Sequence, residues 1–74
     1  MWQSELQDLR LVLSENIRSL RGKRGLSQER LALDAGVDRT LVSKIERTIA
    51  NPTLEVLVKL AVVLEVPVTR LLKN

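Results

Sequence analysis

The 74-residue chain contains neither cysteine nor histidine. The first absence removes a disulfide framework and any thiolate zinc site; the second removes the commonest general base and the commonest metal ligand. Aromatic residues are reduced to Trp2, too few for the stacked rings that hold single-stranded nucleic acid. No apolar run reaches membrane-spanning length, because Lys59 and Glu65 break the longest one. The amphipathic start lacks the cationic-then-apolar order of a signal peptide, so a cytoplasmic location is expected. The nine acidic residues are dispersed, and the chain offers neither a phosphate-cradling Gly loop nor a nucleophile–base pair. An enzyme is therefore not expected, and neither is a cofactor, a metal site or a small-molecule ligand.

What remains is a chain for one domain, residues 1–74, whose core is small enough to require well-packed helices or a partner subunit. Breakers at Gly22, Gly25, Gly36, Pro52 and Pro67 cut it into five helix-length pieces, and no segment alternates with period two. The first helix is expected from Ser4, with Ser4 and Gln7 as a capping box, and carries the stripe Leu6, Leu9, Leu13, Ile17 and Leu20. Leu11 points away from it. Ser27, Asp38 and Thr53 are the expected N-caps of the next three helices, and Val68 to Lys73 can form a short fifth. In the fourth, Leu54, Leu57, Leu60, Ala61 and Leu64 form the expected core face. The fold class is thus all-α, a compact five-helix domain.

The segment 28–47, QERLALDAGVDRTLVSKIER, reads as two short helices around a tight turn at Gly36. Leu31, Ala32 and Ala35 share one side of the first. Leu41, Val42 and Ile45 form the apolar side of the second, and Arg39, Thr40, Ser43, Lys44 and Arg47 the polar side. All five polar residues can donate hydrogen bonds, as a helix reading base edges and holding phosphates requires. The net charge of +3 is concentrated here: residues 18–47 carry eight bases against four acids, whereas residues 1–17 carry one against three and residues 48–74 three against two. A solvated basic face would give the same count; the motif favours a double-stranded DNA partner.

These positions resemble the Cro and lambda-repressor type of helix-turn-helix protein, the XRE family. The resemblance runs from about Asn16 to Leu72. It is carried by Ile17-Arg18-Ser19-Leu20-Arg21, Gly25-Leu26-Ser27-Gln28-Glu29, Leu31-Ala32, Ala35-Gly36-Val37, Val42-Ser43, Ile45-Glu46-Arg47 and Asn51-Pro52-Thr53-Leu54. Asp38-Arg39-Thr40 with Ile45-Glu46-Arg47 is most similar to the controller proteins of restriction-modification systems. The resemblance implies a five-helix lambda-repressor-like fold and leaves residues 1–15 as an N-terminal helical extension. In similar proteins Gly follows the Glu-Arg that ends the recognition helix. This chain has Thr48 there, and a β-branched residue is strained in the left-handed conformation, so the loop is expected to take another path.

The resemblance assigns Gln28 to a phosphate, Lys44 to a base contact and Arg21–Glu46 to a structural ion pair. Arg39 and Thr40 open the recognition helix, where side chains reach deepest; Arg39 can pair with a guanine or hold phosphate, and the base is the better reading. Ser43 lies one turn on with Lys44, and Arg47 is expected on the backbone. Arg24, with Lys23, is either a phosphate contact or a solvated loop residue. Asp38 is a better N-cap than cytosine reader. Glu29 and Asp34 are exposed acids; in some related regulators such acids touch RNA polymerase, but helix-dipole and surface roles explain them as well. Val58, Val62, Val68, Leu71 and Leu72 give the last two helices more apolar surface than a small domain covers; either the fourth helix is enclosed in the middle of the fold or, the better reading, these residues form a homodimer interface.

The expected function is a homodimeric regulator of transcription on an inverted-repeat operator. The alternative is an antitoxin-type protein whose apolar face binds a different protein.

Overall fold

The computed structural model describes residues 1–74 as α1 (Trp2–Lys23), α2 (Gln28–Ala35), α3 (Arg39–Glu46), α4 (Leu54–Leu64) and a 3-10 turn (Val68–Leu72). The five-helix expectation holds, with the fifth element wound as 3-10. Three expected N-caps are in place. Ser27 Oγ accepts from Arg30 N, an Asp38 carboxylate oxygen from Thr40 N, and Thr53 Oγ1 from Val56 N. Each satisfies a backbone donor that the first helical turn leaves unpaired. Ser4 is a correction. The helix begins two residues earlier, at Trp2, without a side-chain cap, so Ser4 lies inside the first turn.

All four helices end in the same way. A residue just past the helix takes a left-handed conformation, and two backbone N–H groups fold back onto the last carbonyls. At Gly25 and Gly36 this costs little; Thr48 (φ +64°) and Glu65 (φ +58°) adopt it as non-glycine residues. The rerouted loop expected at Thr48 is therefore not formed. Ile49 N bonds Lys44 O and Thr48 N bonds Ile45 O, both at 3.0 Å, while Ala50 is drawn into the core. These interactions hold Thr48 where a glycine would sit with less strain.

The core gathers Leu13, Ile17 and Leu20 from α1, Leu31 and Ala32 from α2, Val42 and Ile45 from α3, and Leu57, Leu60, Ala61 and Leu64 from α4. Leu71 of the 3-10 turn is fully enclosed among them, so its placement at a subunit interface is corrected: this chain already covers it. The N-terminal part of the α1 stripe only borders the core, with Leu6 half-buried and Leu9 exposed, while Gln7 and Arg10 bond Thr48 and Asn51 in the loop after α3. Leu54, expected on the core face of α4, is 76% exposed. With Val58 and Val62 it forms an outward stripe at spacing four. The 3-10 turn is anchored by Asn16, whose Nδ2 donates to the carbonyls of Arg70, Leu71 and Lys73.

Candidate nucleic-acid interface

The surface begins with the turn between α2 and α3. Gly36 reverses the chain, Val37 packs on the core, and Asp38 caps α3. The apolar side of α3, Val42 and Ile45, is pinned inward. At about 100° per residue, Arg39, Thr40, Ser43, Lys44 and Arg47 must then fall on one outward arc of roughly 140°. Arg39, Thr40, Lys44 and Arg47 are exposed and Ser43 is half-buried. Asp38 is committed to Thr40 N at 2.8 Å, which supports the cap over a base contact.

Beside this arc lies an open cleft of about 600 Å³, lined by Arg21, Ser27, Gln28, Glu29, Arg39, Thr40 and Ser43, with no apolar residue among them. It brings together four of the expected DNA-contacting side chains: Gln28, Arg39, Thr40 and Ser43. Lys44 and Arg47 flank the cleft without lining it. Arg24 is turned elsewhere and pairs with Glu65 at the end of α4.

The cleft is built over a buried carboxylate. Glu46, only 4% exposed, receives Arg21 Nε on Oε2 at 2.8 Å and Arg21 Nη2 on Oε1 at 2.9 Å, a two-pronged pair. Gln28 Nε2 also donates to Glu46 Oε1, at 3.0 Å. A primary amide has two N–H donors, so Gln28 keeps one for an anion while Glu46 fixes its direction. Burial pushes the Glu46 carboxyl up, but the hydrogen bonds from Arg21 and Gln28, with the charges of Arg21 and Arg18, outweigh it and hold the group below the usual carboxylate range. Arg21 is raised above its ordinary value by its hydrogen bond to Glu46.

Three further residues belong to this architecture. Ser14 Oγ and Arg18 Nη2 both donate to the backbone carbonyl of Glu46 at 2.7 Å. Ser14, Arg18 and Arg21 recur at helical spacing on α1, so their shared face was open to a periodicity reading. Glu29 lines the cleft and accepts from Arg39 Nη1 at 3.2 Å. No local pattern signals that contact, since the two residues are ten apart and meet only across the turn.

A helix-turn-helix family model matches residues 17–71. The chain is 43% identical over 65 residues to control protein C.SmaI of Serratia marcescens, covering 88% of this chain and 77% of that protein. It is 47% identical over 66 residues to a hypothetical transcription factor of Neisseria meningitidis, covering 89% of this chain and 62% of that protein, less than two thirds of its length. Among solved structures, the restriction-modification controller protein C.AhdI from Aeromonas hydrophila superposes with a TM-score of 0.80 at 37% identity, covering 84% of this chain and 94% of the other.

Proposed function

Because this chain belongs to the helix-turn-helix family, we propose that it is a sequence-specific, double-stranded DNA-binding regulator of transcription that acts as a homodimer on an inverted repeat. The observation that carries this reading is the polar arc of α3 beside a cleft lined only by polar and charged groups. The α2 N-terminus contributes Gln28 to the same surface, where the helix dipole favours an anion.

In this reading α3 enters the major groove. Arg39, Thr40, Ser43 and Lys44 face base edges, Gln28 and Arg47 hold phosphates at the rims, and Arg24 stays with Glu65. The Arg21–Glu46 pair supports the surface from behind without touching DNA. The dimer uses the outward stripe Leu54, Val58 and Val62 with Leu72, all exposed, and the partly buried Val68 at its edge. An apolar notch lined by Leu6, Leu9, Leu13, Leu57 and Leu72 adjoins Leu72 and extends the surface a second copy would cover. Two-fold symmetry then places half-sites about 10 bp apart, or a small multiple of that. Both acids of α2 hold arginine partners, Glu29 with Arg39 and Asp34 with Arg30. That argues against an acidic contact with RNA polymerase. No helix is long and apolar enough to cross a membrane, and the reading places the protein with the cell's DNA in the cytoplasm.

Similarity to C.SmaI and C.AhdI extends the proposal to control of restriction-modification genes. Selection from a random duplex library, followed by footprinting, tests it. An enriched inverted repeat protected on one side of the duplex is expected, together with a dimer by sedimentation. Enrichment of no sequence would refute DNA-directed regulation, and a strictly monomeric chain on a single half-site would refute the dimer.

A further inference from the structure

We propose that Glu29 sets the sequence selectivity of the recognition surface by acting on Arg39, as a positioning residue rather than a DNA contact. The proposal rests on the DNA-binding reading given above. Arg39 is the first residue of α3 and Glu29 the second of α2, and the turn sets them side by side on the wall of the polar cleft. Arg39 Nη1 donates to Glu29 Oε2 at 3.2 Å, and the two side chains are 67% and 73% exposed.

The pair has two consequences for what Arg39 does. The first is geometric. A guanidinium carries five N–H donors in a rigid fork, and Glu29 engages one nitrogen. The remaining donors make no other hydrogen bond and are free for a planar two-acceptor partner such as the N7 and O6 of guanine. A long side chain held in one direction also loses less freedom when it docks. The second is electrostatic. Beside a carboxylate the guanidinium has little net attraction for phosphate, so its contribution shifts from the backbone to the base edge. Lys44 and Arg47 have no carboxylate partner and keep their full attraction for the backbone. In the free chain so exposed a pair adds little to stability. A duplex seated over the cleft excludes water and strengthens the pair, so Glu29 exerts its effect in the complex.

The test uses the duplex enriched by the unmodified chain and a scrambled duplex of the same composition. The unmodified protein, Glu29→Gln, Arg39→Ala and the double variant are titrated against both at several salt concentrations. Glu29→Gln is expected to strengthen binding to the scrambled duplex and steepen its salt dependence by about one phosphate contact. It should also lower the enriched-to-scrambled affinity ratio by about 3- to 10-fold. In the Arg39→Ala background the same change should leave that ratio where Arg39→Ala alone puts it. A ratio unmoved by Glu29→Gln, or lowered equally without Arg39, would overturn the proposal and leave Glu29 a plain surface charge. If the unmodified chain enriches no sequence, the DNA-binding reading fails first and this inference falls with it.

Discussion

Arginine–carboxylate pairing joins α3 to the rest of the chain at both of its ends. At the C-terminal end Glu46 is buried, gripped by both prongs of Arg21 and joined by Gln28, with Ser14 and Arg18 on its backbone carbonyl. At the N-terminal end Arg39 meets Glu29 through a single exposed contact. The same two chemical groups have opposite work because their surroundings differ. Water cannot replace a lost partner at Glu46, so that pair fixes where the helix lies. Water readily replaces one at Arg39, so that pair leaves the helix position alone and is available to a ligand.

The largest break in this contrast should come from Glu46→Ala. It strands a partly buried guanidinium, and the stability loss is expected to be about 3 kcal/mol; in the folded variant, release of Gln28 should weaken binding to selected and scrambled duplexes about equally and leave the preferred site unchanged. Urea melts and competition binding at a temperature where the variant is folded check this; an unchanged melt with an altered preferred site would invert the roles of the two ends. Arg39→Ala is the mirror experiment. Its melt should move by less than about 0.5 kcal/mol, while discrimination between selected and scrambled duplexes should fall by roughly 1–3 kcal/mol. Equal losses on both duplexes would make Arg39 a phosphate clamp.

Acid sharpens the comparison more gently. The Glu46 carboxyl sits lower in the folded chain than in the unfolded one, so the unfolded state takes up a proton first as pH falls. The stabilisation is therefore complete above the ordinary carboxylate range, near about pH 4.3, and drains away as pH falls through the lower folded value. Melts from neutral pH downward should show this component in the unmodified protein and lack it in Glu46→Gln; parallel curves would mean the pair does not couple to folding. The smallest effect concerns the loop that follows the buried end. Thr48→Gly relieves a left-handed non-glycine residue but loosens the unfolded chain, for a net gain of about 0.5–1 kcal/mol. A destabilised Thr48→Gly would show that the Gln7–Thr48 contact matters more than the strain.

Where sequence and structure agree, the cause is local. Ser27, Asp38 and Thr53 cap because a short oxygen-bearing side chain precedes an apolar-periodic run, and nothing distant competes. Ser4 shows the same pattern without the result, since α1 simply continues past it toward Trp2. At Thr48 the intrinsic preference of a β-branched residue points the other way, and two backbone hydrogen bonds with the burial of Ala50 override it. Leu71 and Leu54 exchanged expected places because periodicity gives a helix a face without saying which neighbour covers it. In the site, the polar arc of α3 was legible from spacing, and the Arg21–Glu46 pair from resemblance. The Glu29–Arg39 pair was not legible, because the turn creates it.

The Asn16 anchor also shapes how the molecule closes. Its bonds join residues 54 to 57 positions apart in a 74-residue chain. That loop is among the longest the fold must close, and contacts of such span are expected late in folding. The same closure seats Leu71 inside and leaves its neighbour Leu72 at the surface beside the apolar notch. Whatever covers Leu72 therefore also holds the tail shut. For a protein that pairs through this face, association and completion of folding become one linked equilibrium, and the unfolding midpoint should climb with protein concentration.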